Sequence, residues 1–160
     1  MVCFCKECTK YRVLSEGDRS QHFQFQSVQG AKPTCDRWMP KAWYRFSGLA
    51  GDQMPNKCVP TRRCGTLAPG WLKEPHPGVH DGVVPRTVCF NWGGKCCRWR
   101  RRISVRNCGD FYVYKLQKAP VCKLRYCGVG QLSGKIVNLL RRNLKITMLL
   151  VALEHSSVTT

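Results

Sequence analysis

Apolar and polar residues alternate most clearly in the second half of the chain. In RISVRNC, Arg102 to Cys108, Ile103 and Val105 alternate with polar neighbours, which is the two-residue period of a half-buried strand. Three further runs, AWYRF (Ala42 to Phe46), RTVCF (Arg86 to Phe90) and FYVYKL (Phe111 to Leu116), are aromatic and β-branched and lie between Gly or Pro. Gly109-Asp110 separates the last from the 102–108 run, so the pair reads as a hairpin. Segments such as Ala68 to Gly78 hold too much proline for a helix or a central strand and are expected as ordered loops. The aromatics Trp43, Tyr44 and Phe46 are expected in the core, with Tyr112 and Tyr114 packed on the sheet.

The pattern changes near Cys127-Gly128. Residues 129–160 contain no cysteine, proline or aromatic residue. Ile136, Leu139, Leu140 and Leu144 recur at spacings of three and four, which predicts an appended helix from about Lys135 to Glu154. Its most apolar stretch, Ile146 to Leu153, is preceded by Lys145, Arg142 and Arg141 and is far shorter than the ~20 residues a spanning helix needs.

Cysteine count and charge reshape this picture. Twelve cysteines in 160 residues imply a small disulfide-rich, mainly β fold of short antiparallel strands and long ordered loops, held by bridges in an oxidising compartment. Twenty-seven Lys and Arg against nine acids give a formal charge of +18, which draws polyanions without choosing among nucleic acid, anionic lipid and acidic glycan. The start of the chain shows no signal-peptide pattern, and the expectation is a fragment of a longer secreted protein.

Candidate chemistry is sparse. Cys5-x-x-Cys8 has no second pair at zinc-finger spacing. His76 and His80 are four apart in a proline-rich loop, where two exposed loop histidines are a better reading than metal ligands. No nucleophile elbow, phosphate loop or carboxylate pair appears, so no catalytic residue, metal or cofactor is assigned and the chain is expected not to be an enzyme. Cys96 and Cys97 are poorly placed for one metal, since neighbouring strand side chains point to opposite faces; in a disulfide network each can bridge a different side. Arg98, Trp99, Arg100, Arg101 and Arg102 form a candidate anion or glycan contact, with guanidinium forks for sulfate or phosphate and an indole for stacking, extended around Trp71. The plainer alternative is a solvated strand end. Without a nucleic-acid reader fold, no nucleic-acid partner is expected.

The motifs ECTKYRVLSEGDRS, CDRWMPKAWYRFSGLAGDQMP, CVPTRRCGTLAPGWLKEPHPGVHDGVVPRTVCF, CCRW, RISVRNCGDFYVYKL and PVCKLRYCG follow one another from residues 7 to 128. In their order and spacing they resemble the eight- to ten-cysteine extracellular domain of the uromodulin and zymogen-granule glycoprotein family. The resemblance implies a non-catalytic secreted or cell-surface module over residues 8–128, bridged as Cys8–Cys108, Cys35–Cys122, Cys58–Cys96, Cys64–Cys127 and Cys89–Cys97. It leaves residues 1–7, with Cys3 and Cys5, as the remnant of a preceding cysteine-rich, EGF-like module. Residues 129–160 become a non-family tail or gene-model artefact. Two departures stand out. Asp18 replaces an aromatic before Arg19-Ser20, which is expected to weaken local packing. Asn56, Asn91, Asn107, Asn138 and Asn143 all lack the Asn-x-Ser/Thr context, so the N-glycans by which family members engage bacterial adhesins do not carry over.

The expected partners are extracellular proteins or acidic glycans, with the oligomeric state open. Two alternatives remain: an intracellular zinc- or nucleic-acid-binding basic protein, and a secreted cationic protein acting on membranes through the tail from Lys135.

Overall fold

The computed structural model describes residues 5–26 and 30–130. The expected helix from Lys135 to Glu154 therefore lies outside the described residues. Seven strands form one sheet in the order β1-β2-β6-β5-β4-β3-β7. They are β1 (Arg12–Leu14), β2 (Ala42–Phe46), β3 (Ala68–Leu72), β4 (Val83–Trp92), β5 (Lys95–Asn107), β6 (Tyr112–Leu116) and β7 (Leu124–Tyr126). A single helical turn, α1 (Lys6–Thr9), precedes them.

The centre is an antiparallel meander, β3-β4-β5-β6, with β2 antiparallel on β6. Both edges are parallel: β1 on β2, and β7 on β3. The long β4–β5 hairpin turns at Gly93-Gly94, whose φ of 58° and 73° supply the two left-handed positions a tight hairpin turn requires. The β5–β6 hairpin turns at Gly109, as the alternation predicts, and Asn107 Oδ1 accepts the Gly109 N–H at 2.9 Å.

The strand expected at 102–108 begins earlier, so Arg98–Arg102 lies within β5. A second difference is β3, where the proline content argues for a loop. Pro69 is tolerated because its missing N–H falls beyond the β4 ladder. That register ends at Gly70↔Phe90. Toward β7 the bonds come from its neighbours: Ala68 N–H donates to Lys123 O, and Gly70 O accepts from Cys127 N–H. Gly70 also leaves room for the Phe90 ring, since a Cβ there would lie 2.7 Å from Phe90 Cε1.

One face of the sheet carries the core. Tyr44, Phe46, Leu72, Val88, Phe90, Val105, Tyr114 and Leu116 are buried on it together, closed over by Ala50, Met54 and Ala119. Trp43 departs from its expected core position. Strand alternation turns it away from Tyr44 and Phe46, and it sits half-buried on the outer face.

At the β7 side, charge does structural work. Buried Arg19 forms a two-pronged pair with buried Asp36 at 2.8 and 3.0 Å and also donates to Tyr126 O, while Asp36 accepts the Tyr126 N–H. Asp18, expected to weaken local packing, has a charged partner of its own. It pairs with buried Arg125 at 3.0 Å, and Arg125 also donates to Cys64 O.

Candidate functional site

The bridges distribute the chain around the sheet. Cys8–Cys108 fastens the N-terminal segment to the end of β5, and Cys35–Cys122 ties the segment before β2 to the one before β7. Cys64–Cys127 joins the loop before β3 to the end of β7. The adjacent pair in β5 diverges: Cys96 reaches Cys58, while Cys97 closes an eight-residue separation back to Cys89 in the same hairpin. Cys5 is also disulfide-bonded, and no cysteine among the described residues is free. The intracellular zinc reading thereby loses its ligands, and no described group of three or more His, Cys, Asp or Glu is arranged to hold a metal.

Strand alternation divides the five-residue anion candidate. Arg98, Arg100 and Arg102 project outward and are exposed. Trp99 lies opposite Phe90 and packs with it on the core face, and half-buried Arg101 donates to Lys118 O at 3.3 Å. Lys123 lies over the Trp92 and Trp99 rings, at 4.9 and 5.9 Å from their centroids. Trp99 is therefore not a stacking platform for whatever the three outward arginines hold. Trp71 is also partly committed: its indole N–H donates to Cys96 O at 2.8 Å, and its ring packs on Val59 and the Cys64–Cys127 bridge.

The sheet also gathers cations that are scattered in the sequence. Lys115 on β6 stands directly across from Ser104 on β5 and from Trp43 on β2. Lys41, Lys115 and Arg102 line one hollow of about 270 Å³. Spacing alone hides this cluster, because it requires the β2-β6-β5 strand order.

His80 is exposed, but His76 is not the free loop histidine expected. Its ring lies 4.4 Å from the Tyr112 ring. Nδ1 is 2.6 Å from Asn56 Oδ1, an acceptor, so Nδ1 carries the proton and the bare Nε2 accepts from the Tyr114 hydroxyl at 2.7 Å. The Tyr114 oxygen accepts the Met54 N–H, and the Asn56 amide donates to Leu72 O and Glu74 O. Burial, with the Arg86 charge adding to it, lowers the His76 pKa to about 4. Each group in this chain is satisfied only with neutral imidazole. It serves as a structural strut.

A mainly β sheet with five bridges defines the class: a small disulfide-rich, mainly β domain. The uromodulin-like D8C domain model matches residues 44–128, and the chain belongs to that family. It is 41% identical to the pancreatic secretory granule membrane major glycoprotein GP2 of Canis lupus familiaris over 84% of this chain and 26% of that protein. It is 42% identical to uromodulin of Mus musculus over 75% of this chain and 18% of that protein. Against the human GP2 glycoprotein the identity is 43%, over 80% of this chain and 23% of the relative. The chain thus spans about a quarter or less of the length of these relatives. Among the described residues, no helix is long and apolar enough to cross a membrane.

Proposed function

We propose that the chain is a non-catalytic extracellular interaction module of a secreted or cell-surface mosaic protein, presenting its outer sheet face to protein or acidic-glycan partners. The observation that carries this reading is the set of five bridges, with sequence separations from 8 to 100 residues. Such bridges persist in oxidising compartments and are rare in the cytosol. The name of the GP2 relatives, a secretory granule membrane glycoprotein, points the same way. Within the candidate contact, Arg98, Arg100 and Arg102 are the residues free to meet a partner, and Trp99 and Arg101 support them from the inner side. Residues 8–128 form the module, with 1–7 belonging to a preceding cysteine-rich unit and 129–160 lying beyond it.

The test is peptide mapping of protein made through a secretory pathway and alkylated before and after reduction. Cys89 linked to Cys97, with no thiol of residues 8–128 alkylated before reduction, is the expected result. Folded, soluble protein with free thiols would overturn the reading.

A further inference from the structure

A groove of about 620 Å³ lies beside β2 and is lined by Lys6, Lys10, Arg12, Lys41, Lys115 and Trp43. All five cations are exposed, and among the described residues none is in an ion pair with a carboxylate. The acid in its wall, Glu7, is already bound to Arg106 at 2.6 Å. Five like charges around one hollow repel each other and raise the local potential, which favours an anionic occupant. Nor is the N-terminal wall free to splay away. Cys8–Cys108 and the Glu7–Arg106 pair hold the Lys6-to-Arg12 segment against the end of β5.

The groove has a continuation. The 270 Å³ hollow described above shares Lys41 and Lys115 with it and adds Arg102 and the polar side chains of Ser104 and Gln117. From Arg102 the exposed Arg100 and Arg98 follow along β5 at every second residue, roughly 7 Å apart. A linear cationic track results, too long for one phosphate and suited to a polymer with charge repeated along its length. Half-buried Trp43 adds an apolar plane within the groove, with Lys115 Nζ 5.9 Å from its ring centroid. A polymer that alternates anionic groups with sugar rings uses both features.

We propose that this groove, with its continuation through Arg102, Arg100 and Arg98, binds a linear sulfated polysaccharide. The proposal rests on the extracellular reading, because sulfated polysaccharides are the abundant linear polyanions outside the cell. The probe is a size-defined heparin fragment, titrated against the full, disulfide-mapped chain at several salt concentrations. Lys41→Glu/Lys115→Glu should lower affinity about tenfold or more, and Trp43→Ala should lower it with no change in the salt dependence. A control that changes the charge equally, Lys32→Glu/Arg37→Glu, alters exposed cations beside buried Asp36, on the segment whose Met39 packs over the core face. It should change affinity less than twofold. Completely desulfated heparin should not bind.

Equal losses in the two charge variants would reduce the effect to net charge and overturn the site. So would an unchanged affinity of the groove variant, binding of desulfated heparin, or retention on phosphatidylserine vesicles without heparin binding. If the bridges map as described and the groove variant still binds like the wild type, the site assignment fails and the module reading survives. Free thiols in the wild type would remove both.

Discussion

His76 is held neutral by its neighbours, and the sign of the consequence follows. The folded-state pKa of about 4 lies below the ordinary histidine value of 6.5, so between these pH values the unfolded chain binds the extra proton. Stability from this group is therefore complete above pH 6.5, declines as pH falls toward 4, and levels off below. The half-buried ring limits the loss to roughly 2 kcal/mol. Urea midpoints measured from pH 7.5 to 4 should show the decline, and His76→Gln should flatten that part of the profile. The Arg19–Asp36 pair gives a larger single-site effect. Asp36→Asn leaves buried Arg19 with only the half-exposed Glu16 carboxylate, at 3.4 Å, and should cost about 3 kcal/mol in chemical denaturation. Little of this was legible in the sequence. His76 sits in a motif full of proline and looked exposed; its partners Asn56 and Tyr114 come from segments 20 and 38 residues away. Asp18 looked like the loss of an aromatic, because its partner Arg125 is 107 residues distant.

At the scale of elements, local pattern carried the interior hairpins and missed the edges. β2, the cores of β4 and β5, and β6 follow from alternation and turn residues that act over a few positions. The three-residue β1 and β7 have no such signal; each forms because a parallel neighbour is already in place. Pro69 misled for the same reason, since its tolerance depends on where the β4 ladder ends. Gly93-Gly94 was a readable turn signal joining the 86–90 run to the arginines, which would have placed Arg98–Arg102 within a strand and separated Trp99 from its neighbours. The bridges differ in what they constrain. In the chain-entropy account Cys89–Cys97, with a separation of 8, contributes about 2.5 kcal/mol, whereas Cys8–Cys108, with 100, contributes about 4.7. Cys8→Ser/Cys108→Ser should accordingly lower the unfolding free energy by about 2 kcal/mol more than Cys89→Ser/Cys97→Ser. It should also weaken heparin-fragment binding by releasing the segment that carries Lys6 and Lys10. Gly70→Ala, which brings a Cβ against Phe90 and Arg125 O, should cost about 1–3 kcal/mol in a thermal melt.

For the whole molecule, the outer face is both the charged surface and the surface the core does not need. Substitutions there, such as Arg100→Glu, should shift the thermal midpoint little while changing retention on heparin, the separation expected of a binding surface on a disulfide-stapled scaffold. The amino-acid sequence by itself determined the cysteine-rich framework, the mainly β character and the family, because cysteine content, two-residue alternation and motif order are local or countable. Tertiary structure alone decided that Trp43 faces outward, that Trp99 faces inward, that His76 is a neutral strut, and that Lys6, Lys41, Lys115 and Arg102 share one track. Those facts depend on which strands lie side by side, and strand order is set by long-range closure and cross-linking that no short window of residues contains.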